Sequence, residues 1–107
     1  MKSQLKKGVI EIFVLAIIAK ESSYGYKIVN DLEPYLTISE STLYPILRRL
    51  EKQGKLETYN QLFQGRNRKY YKITKSGKNQ ISNFLEEWKD IRKIYDLLTG
   101  VTLWKSF

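Results

Sequence analysis

At 107 residues and 42% hydrophobic content, the chain can build one modest core and leaves no room for a separate catalytic domain. It has no histidine and no cysteine, which removes the commonest general base, the usual partner of a nucleophilic serine, disulfides and most zinc ligands; no enzymatic activity, cofactor or metal site is expected. The net charge of +8 is localised: residues 1–40 carry five basic and five acidic side chains, residues 81–107 four of each, and residues 41–80 ten basic ones against Glu51 and Glu57.

Between Thr58 and Gln80 there is no acid at all. Such a segment suits a polyanion, because each neutralised phosphate releases condensed counterions; the same charges also serve plain solvation. The chain shows neither an apolar run long enough for a membrane span nor a leader-like pattern at Met1–Lys7, so a soluble, cytoplasmic protein with no membrane partner is expected.

Val9 to Ala19 is almost wholly apolar over eleven residues, too long for a typical strand, and predicts a buried first helix over residues 5–20. Glu21-Ser22-Ser23 breaks the run and offers capping hydroxyls to a second helix over residues 23–32, whose apolar face is Tyr24, Ile28, Val29 and Leu32. Pro34 ends it. A third helix carries Leu43, Ile46, Leu47 and Leu50 at helical spacing and stops at Gly54, a residue suited to a left-handed cap. Its start is open: Thr42 as cap places Pro45 in the first turn, whereas Ser39 as cap places it further in, with a small kink.

The period then shortens towards two. Residues 56–63 and 69–74 are rich in aromatic and branched side chains and read as two strands separated by the basic tip Gln64-Gly65-Arg66-Asn67-Arg68. Three short helices followed by a hairpin predict a mainly α winged helix-turn-helix over residues 1–75. Residues 76–107 supply a long C-terminal helix and tail. There Ile81, Phe84, Trp88, Ile91, Tyr95 and Leu98 follow each other at steps of three and four, a heptad stripe that needs a partner face. It can fold back on the core or form the seam of a homodimer; the flanking charges favour the seam. Val101 to Phe107 is apolar enough to dock.

The third helix buries one face and presents Ser41, Thr42, Tyr44 and Arg48 near its leading end. These side chains can meet phosphates and the base edges of a major groove. Arg49 and Lys52 lie further round. On the hairpin, Arg66, Arg68 and Lys69 stand beside Tyr70 and Tyr71, one of which faces the core because strand side chains alternate. Arginines on a wing suit the negative potential of a narrow minor groove.

Three ordered runs carry a resemblance: Tyr24-Gly25-Tyr26-Lys27-Ile28, then Ser41-Thr42-Leu43-Tyr44-Pro45-Ile46-Leu47-Arg48-Arg49-Leu50-Glu51-Lys52-Gln53-Gly54, then Gly65-Arg66-Asn67-Arg68-Lys69-Tyr70-Tyr71-Lys72-Ile73-Thr74 with Gly77. Together they resemble the PadR-like transcriptional regulators across residues 5–98, with Ser41 standing where many members have glycine. The resemblance implies a homodimer joined through the C-terminal helix, double-stranded DNA with a pseudo-palindromic operator as partner, and repression relieved by a small molecule. The DNA-binding set is then Ser41, Thr42, Tyr44, Arg48, Arg66, Arg68, Lys69 and Tyr70. Trp88, in the middle of the stripe, is the effector candidate, since two facing indoles can hold a flat apolar compound; its plainer role is a dimer-core aromatic. An interaction or architectural module without operator choice is the alternative function.

Overall fold

The computed structural model describes residues 3–100, so the tail expected to dock lies outside the described residues. Six elements follow in order: α1 (Ser3–Lys20), α2 (Gly25–Leu32), α3 (Glu40–Lys52), the antiparallel strands β1 (Leu56–Phe63) and β2 (Arg66–Ile73), and α4 (Lys75–Thr99). This is the expected winged helix with a long C-terminal helix.

The core gathers Val14, Leu15 and Ile18 from α1, Ile28 and Leu32 from α2, and Leu43, Ile46, Leu47 and Leu50 from α3. Each buried aliphatic side chain of this kind contributes about 1.5–3 kcal/mol. The hairpin closes the bottom with Leu56, Tyr71 and Ile73. No helix among the described residues is long and apolar enough to cross a membrane.

Several boundaries differ from the sequence reading. The second helix begins at Gly25, not Ser23, and its cap, Tyr24, is extended and makes no side-chain capping bond. Ser23 is instead a one-residue strand: its N–H donates to the Tyr71 carbonyl at 3.0 Å, and the Tyr71 N–H donates back at 2.7 Å. The bridge places Ser23 one residue before the capping position, which Tyr24 occupies, and the Ser23 hydroxyl is buried with no hydrogen-bond partner among the described residues. Ser39 is the cap of α3, its hydroxyl accepting from the Thr42 N–H at 3.2 Å. Pro45 therefore lies within the helix, where it has no N–H to give to the Ser41 carbonyl.

The hairpin loop is also shorter than expected. Phe63 and Arg66 already pair, leaving only Gln64 and Gly65 in the turn. Both have positive φ, 50° and 78°, as a type I′ turn requires. Arg66 and Arg68 are thus strand residues rather than tip residues.

The helix α4 is tied down at its start. Thr74 caps it, accepting from the Gly77 N–H at 3.2 Å while its own hydroxyl donates to the Gly54 carbonyl at 2.6 Å. Ile81 packs partly buried against the core. Beyond Phe84, which is also partly buried, α4 runs out into solvent, ending at Gly100 in the left-handed conformation. The radius of gyration is 17.0 Å and the long axis 64 Å, against about 13 Å for a compact chain of this length. A fold-back of the stripe onto its own core is not what the structure shows.

Gly77 is the one glycine in α4 whose replacement must collide. An added Cβ would strike the Lys55 carbonyl and come within 2.7 Å of Ile73 Cγ1. Gly77→Ala is expected to cost about 1–3 kcal/mol of stability, read as a lower urea midpoint at unchanged slope. An unchanged midpoint would show that the contact yields freely.

Candidate nucleic-acid interface

The orientation of α3 decides what it presents. With Leu43, Ile46, Leu47 and Leu50 buried, Ser41, Tyr44, Pro45 and Arg48 fall on one exposed face, as a spacing of three, four and seven residues dictates. Tyr44 is 37% exposed. Its hydroxyl donates to Glu40 Oε2 at 3.3 Å. Burial, and then the Glu40 carboxylate, push that hydroxyl above its ordinary pKa, so it remains a neutral donor at physiological pH. The ring lies against the start of α2: a Cβ on Gly25 would come within 2.5 Å of the Tyr44 oxygen and 2.9 Å of its Cζ. Glycine at 25 is therefore what lets Tyr44 lie flat.

Thr42 and Arg49, seven residues apart, occupy a different side of the helix. Arg49 Nε donates to Glu11 Oε1 at 2.8 Å, and its terminal nitrogen contacts the same oxygen. Both side chains of this pair are partly buried, so Arg49 holds α3 against α1. Thr42 lines a groove with Val9, Ile10 and Phe13 of α1, away from the Tyr44 and Arg48 face. Its hydroxyl shares a small network with Ser39 and Ser41, at 3.1 and 2.9 Å from the Ser39 oxygen respectively.

A cleft of about 640 Å³ lies between α2, α3 and the hairpin, with Tyr24, Tyr44, Phe63, Arg66, Arg68 and Lys69 among its walls. It brings together the leading end of α3 and the basic strand β2, which are more than twenty positions apart in sequence. Of the eight predicted residues, Tyr44, Arg66, Arg68 and Lys69 line it. Ser41 and Arg48 sit beside Tyr44 on the exposed helix face, whereas Thr42 and Tyr70 are placed elsewhere.

Tyr71 is the buried member of the Tyr70-Tyr71 pair, at 2% exposure, and Tyr70 points to the opposite face. There it stacks on Tyr59, with centroids 5.4 Å apart, and meets Tyr24 edge-on at 5.4 Å. Arg68 lies between two rings, 3.9 Å from the centroid of Tyr24 and 4.0 Å from that of Phe63. Lys69 is drawn to the core side, 3.6 Å from Glu51 and above the Tyr71 ring. Arg66 is exposed at the end of the hairpin, and no ion pair to it is found among the described residues. Tyr24, Tyr26, Phe63 and Asn67 also line the cleft and were not in the expected DNA-binding set; a tyrosine on each side of a glycine at 24–26 was the available signal.

The dimer-stripe residues divide in two. Ile81 and Phe84 are partly buried, while Trp88, Ile91, Tyr95 and Leu98 are 47–80% exposed. Trp88 stacks on Phe84 with centroids 5.9 Å apart. Leu85, Ile94 and Leu97 are exposed as well, so the uncovered apolar band is wider than the heptad positions alone.

Comparison with known proteins settles the lineage. The family model of PadR-like transcriptional regulators matches residues 14–83, which run from the last two turns of α1 through α2, α3 and the hairpin into the start of α4. The chain belongs to the PadR-like family of transcriptional regulators. A solved protein of Streptococcus mutans UA159 is 44% identical, with a TM-score of 0.78 over 88% of this chain and 90% of its own. A PadR-like transcriptional regulator from Bacillus cereus strain ATCC 14579 is 34% identical, with a TM-score of 0.79 over 91% of this chain and 97% of its own. Bacillus subtilis PadR, solved in complex with operator DNA, is 23% identical and shares the fold, with a TM-score of 0.67 over 72% of this chain and 46% of its own. As a PadR-like protein this chain is a transcriptional regulator and not an enzyme.

Proposed function

We propose that the protein is a homodimeric repressor that binds a pseudo-palindromic double-stranded operator in the cytoplasm and is released by a flat, apolar small molecule. The observation that carries the DNA reading is the shared basic concavity. The Ser41, Tyr44 and Arg48 face of α3 and Arg66 on the hairpin border one surface, and the segment 41–80 that supplies both elements carries the chain's whole excess of positive charge. In this reading α3 enters a major groove and the hairpin meets the adjacent minor groove. The solved complex of Bacillus subtilis PadR with operator DNA lends support through the common fold.

The dimer reading rests on α4. A helix whose outer half exposes Trp88, Ile91, Ile94, Tyr95, Leu97 and Leu98 leaves more apolar area in water than a lone soluble chain tolerates, and a second copy covers it. Two-fold pairing then sets the two recognition helices on successive turns of one DNA face, about 34–36 Å apart or a multiple of that. The effector reading rests on the stacked, half-exposed Trp88 and Phe84, which a symmetric mate turns into an aromatic-walled space.

Three outcomes are expected. In titrations at physiological salt, a duplex selected from a random library should bind at least about 10³ times more tightly than its scrambled counterpart; equal affinity would favour an architectural module without operator choice. Ile91→Asp combined with Leu98→Asp should sediment as a folded monomer and lose most operator affinity, and a dimer that survives both charges would remove the α4 seam. Trp88→Ala should abolish flat aromatic dye binding in a protein that stays dimeric; retention of the dye at full affinity would dispose of the effector site.

A further inference from the structure

The hairpin is anchored at its base by the Ser23 and Tyr71 bridge, and from Tyr71 it projects five more residues to the turn. At about 3.3 Å per residue this is a lever of roughly 17 Å. Two strands by themselves are marginally stable, so the direction of such a lever needs a second point of attachment.

Tyr70 against Tyr24, and Lys69 and Thr58 towards Glu51, hold the strands nearer the base; Arg68 adds an attachment closer to the tip. Tyr24 belongs to the body, immediately before α2, and Phe63 belongs to the far end of β1, beside the turn. The guanidinium lies within 4.0 Å of both ring centroids. Tyr24 also meets Tyr70, which stacks on Tyr59, so the same body ring receives the hairpin at two successive outer-face positions of β2. A planar, weakly hydrated guanidinium can stack against rings on either side, whereas a lysine ammonium is a compact, strongly hydrated charge that cannot. With its faces engaged, Arg68 is committed to the protein, while Arg66, two residues nearer the tip, is exposed.

We infer that Arg68 is a positioning residue: wedged between Tyr24 and Phe63, it sets the angle of the hairpin tip to α3, and Arg66 is the arginine that meets phosphate. This inference rests on the DNA-binding reading for its consequence, but the clamp itself is a property of the free protein.

Both levels are tested with Arg68→Lys, Arg68→Met, Phe63→Leu and Arg66→Ala in the full chain. In amide hydrogen exchange without DNA, Arg68→Lys and Phe63→Leu should each speed exchange across residues 61–67 by about tenfold, the worth of losing stacked cation contacts, with core amides unchanged. Unchanged exchange in both variants overturns the clamp. In binding to the selected duplex across 50–200 mM salt, Arg68→Lys should weaken affinity about tenfold despite keeping its charge, with the salt slope of the wild type. Arg66→Ala should reduce that slope by about one. If Arg68→Lys binds as the wild type does while Arg68→Met lowers the slope by about one, Arg68 is a direct phosphate ligand and the inference fails. If the wild-type chain does not discriminate between selected and scrambled duplexes, the regulatory reading fails, and the exchange measurement decides the clamp alone.

Discussion

The burial of one face of α3 is the constraint from which the rest of the molecule follows. Leu43, Ile46, Leu47 and Leu50 sink against α1 and α2 to 7% exposure or less. Because side chains advance by about 100° per residue, that burial also fixes which residues stand in water. Ser41, Tyr44, Pro45 and Arg48 are exposed as a direct result. The Arg49 and Glu11 pair resists rotation of α3 about its axis, since a turn of one residue would separate a partly buried guanidinium from its carboxylate. Gly25 completes the arrangement by giving the Tyr44 ring a place on the body. A surface that is to read DNA must hold its donors in a fixed register, and here the register is set by core packing.

The hairpin is positioned by a different device. Alternation along β2 sends Tyr71 into the core and Tyr70 to the outer face, and the Ser23 bridge extends the sheet by one residue on the body side. The outer face then carries an aromatic row, Tyr24, Tyr70 and Tyr59, while the core face carries Lys69 towards Glu51. Basic side chains close together in sequence are thereby given different tasks. Arg66 stands in water, Arg68 lies between rings and Lys69 is paired. Charge counted along the chain treats them as equivalent, yet their surroundings make them unlike.

The third feature is an imbalance. The core satisfies α1, α2 and α3 and leaves most of α4 without apolar neighbours of its own. Only the first turns of α4, through Ile81 and Phe84, have partly buried apolar side chains. The extended shape follows from this, and it is what the proposed dimer seam rests on.

Much of this was legible in the sequence. The helical period of the three core helices, the switch to a period of two, and the heptad stripe each come from local spacing, and spacing survives in any tertiary setting. The concentration of charge in residues 41–80 and the PadR-like runs marked the candidate interface. What spacing could not settle were the choices that depend on competing partners. Ser23 offered a capping hydroxyl, but pairing with Tyr71, far away in sequence, set it one residue outside the capping position and buried its side chain. The start of α3 was open between Ser39 and Thr42, both being good caps, and the structure places it at Ser39, whose hydroxyl accepts from the Thr42 N–H. The turn at Gln64-Gly65 was narrower than the polar run suggested, because a non-glycine residue there accepts positive φ and lets Arg66 pair across to Phe63.

The same division holds for the interface. Residue types and their spacing determined that this chain has a winged helix, a basic face and an unsatisfied C-terminal helix. Tertiary structure alone decided which basic residues are free, because Arg49, Arg68 and Lys69 are engaged by Glu11, by Tyr24 and Phe63, and by Glu51. Those partners come from segments distant in the chain or across a strand pair, and only the packed fold brings them within reach.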